Sequence, residues 1–201
     1  MNSKLLKSLM KSKRTILSLI LLISAFGCFL PANLFAGGSL SDAAFTPSDQ
    51  TEVRSAVERI FDQLKGGKYE ALYDTLPSQS RARMSRERFA SALQKTRNLY
   101  QLDRIEIGAV RVSGDLAVVD TVMYAHIAPP FNADGKLVVQ QYLVREDGSW
   151  RVATGDRATI DRFLKSNPSF ARKFPIKRPR AFIKQDGKWV EFQPPARKPR
   201  S

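Results

Sequence analysis

Between Val53 and Tyr100 the apolar residues recur every three or four positions, and beyond Tyr100 every two. The first period belongs to amphipathic helices and the second to half-buried strands. Val53, Val57, Ile60, Phe61 and Leu64 make one stripe, opened by the start signal Thr46-Pro47-Ser48-Asp49 and closed by Gly66-Gly67. A second, shorter helix is predicted over 69–76, where Pro77 ends it. A third starts at Ser85, with Glu87 in its first turn, and carries Phe89, Leu93 and Thr96 toward Tyr100. Strands are predicted over 102–112, 116–127, 137–145 and 150–154. The first of these has a bulge at Gly108, where the apolar phase moves from Ile105 and Ile107 to Val110 and Val112. Pro129-Pro130 stops the second strand, and Asp147-Gly148 turns the third into the fourth.

Helices first and strands in meander order afterwards make an α+β domain. The expected architecture is three N-terminal helices packed on one face of a curved antiparallel sheet of about four strands, with a pocket at the open end. Two stretches carry a family likeness. One is Phe61-x-x-Leu64-x-x-Gly67-x-Tyr69-x-x-Leu72-Tyr73 in the helical half. The other is the closing hairpin, Tyr142-Leu143-Val144-Arg145-Glu146-Asp147-Gly148-Ser149-Trp150-Arg151-Val152. Over residues 48–156 the chain resembles the nuclear-transport-factor-2-like superfamily, which includes ketosteroid isomerase and SnoaL-like cyclases. The resemblance implies a cystatin-like cone with a ligand pocket. Many members have a strand between the second and third helices, and here 77–84 occupies its place.

The rest of the chain divides unevenly. Residues 1–36 read as a signal peptide: Lys4, Lys7, Lys11, Lys13 and Arg14 precede an apolar run over 15–30, and Ala36-Gly37-Gly38 offers a small-residue exit. The expectation is an exported protein, periplasmic or secreted. Two alternatives stay open: the segment remains as a membrane anchor, or Gly27-Cys28 is a lipid-attachment site. Cleavage near Ala36 would leave no cysteine, because Cys28 is the only one. Residues 37–47 read as a linker and 48–160 as the α+β domain. Residues 161–193 form a basic extension with a hairpin signal at Asp186-Gly187, and 194–201 read as a disordered tail.

Charge sharpens that division. Of the formal net charge of +14, residues 1–36 hold +5. Residues 37–160 balance sixteen basic against sixteen acidic groups, and 161–201 hold twelve against three. In the extension Arg172, Lys173, Lys177, Arg178, Arg180, Lys184 and Lys188 alternate with aromatic residues. Such a segment is drawn to anionic surfaces. Outside the cytoplasm these are anionic membrane, envelope polymer or an acidic envelope protein rather than nucleic acid. Arg81, Arg83, Arg86 and Arg88 form a second basic cluster, read as a solvated helical face.

Candidate chemistry is sparse. His126 is the sole histidine, and no glycine-rich loop follows a strand to open a helix. No metal or cofactor is therefore implied. Asp120, Tyr124 and His126 alternate along the second strand and project from one face, where an acid, a phenol and an imidazole suit proton transfer. The opposite face, with Val119, Thr121, Met123, Ala125 and Ile127, is the better core face, which puts the polar trio outside or in a homodimer contact. No catalytic motif of a named superfamily enzyme matches residue by residue. Tyr73, Tyr100, Tyr142 and Trp150 are candidates to line a pocket. Two functions follow: a non-enzymatic exported protein that binds a small molecule or partner, or a cofactor-free isomerase or dehydratase.

Overall fold

The computed structural model describes residues 47–153, 157–175 and 177–192. The signal-peptide and lipid-attachment readings over 1–36, most of the linker, and the tail 194–201 lie outside them.

The chain opens with α1 (Pro47–Lys65), whose apolar stripe buries Val53, Ala56, Val57 and Phe61. Gly67, at φ 69°, ends it. The Gly67 amide donates to Leu64 O at 3.2 Å and the Lys68 amide to Gln63 O at 2.8 Å, so two terminal carbonyls are satisfied by a left-handed stop. Short helices α2 (Tyr69–Tyr73) and α3 (Ser78–Arg81) follow, then α4 (Arg86–Gln94) and a 3-10 turn over Arg97–Leu99. Ser85 caps α4, its hydroxyl accepting from the Arg88 amide at 3.3 Å.

Six strands make one antiparallel sheet: β1 (Tyr100–Ser113), β2 (Leu116–Ile127), β3 (Ala133–Glu146), β4 (Ser149–Val152), β5 (Arg180–Gln185) and β6 (Lys188–Phe192). Helices α5 (Arg157–Ser166) and α6 (Pro168–Lys173) lie between β4 and β5 in the chain. The β1–β2 register slips twice, between Leu102 and Ile105 and between Ile107 and Val110. The second slip is the bulge at Gly108. Both Asp-Gly turns have positive φ at their two central residues, the hairpin form that matches strand twist.

The curved four-stranded cone with three N-terminal helices is not what forms. The sheet is open, six strands wide, in the order β1-β2-β3-β5-β6 with β4 beside β3, and among the described residues four α-helices precede it. The cause is the length of β3. Leu143–Glu146 pair with the short β4, which leaves Gly135–Val138 on the same edge unpaired by it. There β5 adds on, and β6 adds to β5. The extension read as a basic appendage thus supplies two strands, and the boundary at 160 falls inside α5.

The core lies on both faces of the sheet. On the inward face Ala117, Val119 and Leu143 pack with Val53, Ala56 and Val57 of α1 and with Trp150. On the outward face Val118 and Tyr142 are covered by Leu164, Phe163 and Phe170 of α5 and α6.

Candidate functional site

The inward face is packed at one end and hollow at the other. Below the layer of Val119 and Leu143, a cavity of about 270 Å³ separates α1 and α4 from β1, β2 and β3. Its walls are almost wholly apolar: Phe61 and Leu64 on one side, Met123, Leu137 and Val139 on the other. Alternation along β2 and β3 sends those residues inward, because residues paired across strands share a face. The far end is lined by Ile183 of β5 and Phe192 of β6, with Ile127 beside them. A Cβ at Gly135 would stand 2.6 Å from Ile127 Cδ1, so the missing side chain is what lets the β2 wall lean there. An apolar cavity of about 150 Å³ stays dry and takes benzene, so this one has room for a ligand roughly twice that size.

Polar groups reach the cavity at few places, namely Thr96, Tyr100 and Gln141. Burial pushes the Tyr100 phenol above its ordinary pKa, partly offset by a hydrogen bond with Thr96. Lys136 also borders the cavity, and its ammonium lies 4.6 Å from the Trp189 ring centre and 5.1 Å from that of Phe182.

Of the four aromatic candidates, Tyr100 lines the cavity and the other three do not. Tyr73 is a strut: its hydroxyl meets Met84 O at 2.7 Å and Arg81 O at 3.0 Å, and Phe89 packs edge-on against its ring. Tyr142 is buried on the outward face against Phe163, and Trp150 is buried in the packed end with Arg145 over its ring.

Asp120, Tyr124 and His126 all lie on the outward face, away from the cavity, and each has its own partners. Asp120 accepts from Arg111 at 2.6 Å, from Lys177 Nζ at 2.9 Å and from Gln140 Nε2 at 3.2 Å. Burial raises its carboxyl pKa, but these three donors more than reverse that and bring it down to about 2. A carboxyl so held is a poor proton acceptor. Tyr124 donates to Glu106 at 3.1 Å, with Arg104 at 3.6 Å over its ring and Trp189 edge-on. His126 is exposed between Asp134 at 3.4 Å and Asn132 at 3.2 Å. The three do not converge on a common reactant, and among the described residues no group of three potential metal ligands gathers.

The basic residues of the extension are dispersed. Lys177 is spent on Asp120, Arg180 pairs with Glu191 at 2.7 Å, and Lys184 stands 3.9 Å from Asp134. Arg172, Lys173, Arg178 and Lys188 are exposed. The edge strand β6 presents Trp189 on its outward side and Val190 on the other, 37% and 46% exposed, the large apolar residues most open to solvent among the described ones.

No protein-family model matches the chain, and no curated protein does. Solved structures resemble it at low identity. An NTF2-like protein with a cystatin-like fold from Novosphingobium aromaticivorans is 16% identical, with a TM-score of 0.37 over 52% of this chain and 77% of its own. A domain of unknown function with a cystatin-like fold from Nostoc punctiforme is 15% identical, with a TM-score of 0.40 over 62% and 88%. An LEH-like epoxide hydrolase of M. tuberculosis is 16% identical, with a TM-score of 0.38 over 62% and 98%.

Proposed function

We propose that this protein is an exported, non-catalytic binding protein whose inward cavity takes a small apolar molecule. The observation that carries the reading is the cavity itself, about 270 Å³ of apolar-walled space between the helices and the sheet. A well-packed domain has few voids larger than a water molecule, and each unfilled one costs stability. A ligand would recover that loss by covering apolar wall. The N-terminal signal in the sequence supports the exported setting.

A fluorescent phenylnaphthylamine dye, which brightens in apolar surroundings, tests the cavity. Wild type is expected to bind it, and Ala125→Phe, which fills the cavity from β2, is expected to lose binding while keeping its thermal midpoint. Equal dye binding by a folded Ala125→Phe protein would place the dye elsewhere and sink the reading.

A second element concerns partners. The exposed Trp189, paired across the hairpin with Lys184 on the outward face, suits an anionic lipid surface at the β6 edge, where Lys188 follows the turn: the indole enters the headgroup region and the ammonium groups meet phosphate. Cosedimentation with vesicles containing phosphatidylglycerol is expected to retain wild type and to release the double variant Lys184→Glu, Lys188→Glu. Matching retention of both, or binding to neutral vesicles alone, would contradict the role.

A further inference from the structure

Two consecutive glutamines on β3 meet opposite surroundings. Gln140, on the outward face, is fully engaged: its Nε2 donates to Asp120, and its Oε1 accepts from the Tyr142 hydroxyl at 2.9 Å and the Lys177 amide at 2.7 Å. Gln141 faces inward opposite Val119 and lines the cavity. Among the described residues its side chain has no hydrogen-bond partner. A primary amide offers one acceptor oxygen and two donor hydrogens, and on the half-buried Gln141 all three are open to a bound molecule.

The cavity has a direction as well. On β3 its lining runs from Gly135 to Gln141, six residue steps or about 20 Å of extended strand. A chain laid along that line would follow the β3 wall for its whole length. Gln141 stands at the inner end, next to the packed layer of Leu143 and Val119, while Ile127, Ile183 and Phe192 line the other end with hydrocarbon. Lys136 is the one charged residue among those lining the cavity, and its ammonium sits over Phe182 and Trp189 on the outward face. A carboxylate head would enter without a counter-charge.

Resting on the cavity reading above, we infer that Gln141 is the head-group contact. The ligand class is then an unbranched alkyl chain ending in a neutral hydrogen-bonding group, of which a fatty alcohol is the simplest form. The chain lies along the β3 wall, and its hydroxyl donates to and accepts from the Gln141 amide.

Displacement of the phenylnaphthylamine dye from the full chain by decanol, decanoate and hexylbenzene tests this, with decanoate held ionised at about pH 8. Wild type is expected to bind decanol at least several-fold more tightly than decanoate. In Gln141→Leu decanol should weaken roughly five- to tenfold, hexylbenzene should be unchanged, and the thermal midpoint should rise. A merely structural glutamine would lower the midpoint and leave the ligands indistinguishable. Gln141→Met carries the same comparison should the leucine variant fail to fold. Undiminished decanol binding in either folded variant overturns the head-group assignment alone, as does decanoate binding as tightly as decanol. If neither decanol nor hexylbenzene displaces the dye from wild type, the cavity reading falls and this inference with it.

Discussion

Asp120 ties three parts of the chain together: Arg111 on β1, Gln140 on β3 and Lys177 in the segment leading to β5 all donate to its carboxylate. Its folded pKa of about 2 lies below the ordinary value of 3.8, which sets the sign of a pH effect. A carboxyl depressed in the folded state stabilises the fold fully above its unfolded pKa and loses that contribution as pH falls through the folded one. The contribution is about 2 kcal/mol, lost between about pH 4 and pH 2. Asp120→Asn should therefore be less stable than wild type in urea at neutral pH, and the two curves should meet near pH 2. A gap of the same size at both ends would assign the loss to packing instead. The residue was legible as a functional candidate because even spacing put it beside Tyr124 and His126. Its role was not legible, since Lys177 lies fifty-seven positions away in sequence and only the folded sheet brings them together.

At the scale of elements, local signals read well. The α1 stripe, the Gly67 stop, the Ser85 cap, the Gly108 bulge and both Asp-Gly hairpins form where the sequence puts them. Each depends on residues within a few positions of one another. The site needs more than that. Met123 and Ala125 were readable as inward from the alternation of β2. Ile183 and Phe192 were not readable as a cavity wall, because their place depends on β5 adding to the part of β3 that β4 leaves unpaired. The hairpin β5–β6 has an apolar inner side and an aromatic, basic outer side, and α5 and α6 cover Val118 and Tyr142. Truncation after Ala153 removes all four elements. The truncated chain should expose Val118, Tyr142 and Ile127, aggregate or bind hydrophobic dyes nonspecifically, and lose the dye site that Ala125→Phe blocks. A soluble truncated monomer with native near-ultraviolet dichroism and intact ligand binding would show that the extension is dispensable.

Across the whole molecule the two faces of one sheet do different work. The inward face holds the cavity, and the outward face is half covered by α5 and α6 and half lined by Tyr124, Phe182 and Trp189 with Arg104 and Lys136 over their rings. The excess positive charge of residues 161–201 lies in the same part of the chain that completes the sheet. Vesicle association, if it follows from that charge, should fall steeply as salt shortens the Debye length from about 10 Å at 0.1 M to about 3 Å at 1 M. Dye binding in the cavity should not respond to the same change, since burial of apolar surface does not depend on screening. Salt therefore separates the two proposed activities in one protein.

The sequence alone determined the first helix, the strands β1 to β4 and their order, the α+β class, the concentration of positive charge over residues 161–201 and the inward face of β2. These follow from periodicity, turn residues and composition, which are local or additive properties. Only the tertiary structure decided that the sheet has six strands and stays open, that the extension belongs to it, that Asp120 is held by donors from three parts of the chain, and that Gln141 looks into a cavity while Gln140 does not. Each of those turns on which strand edge remains unpaired and what packs against which face. Such outcomes depend on contacts between residues far apart in the chain, and no short window of sequence contains them.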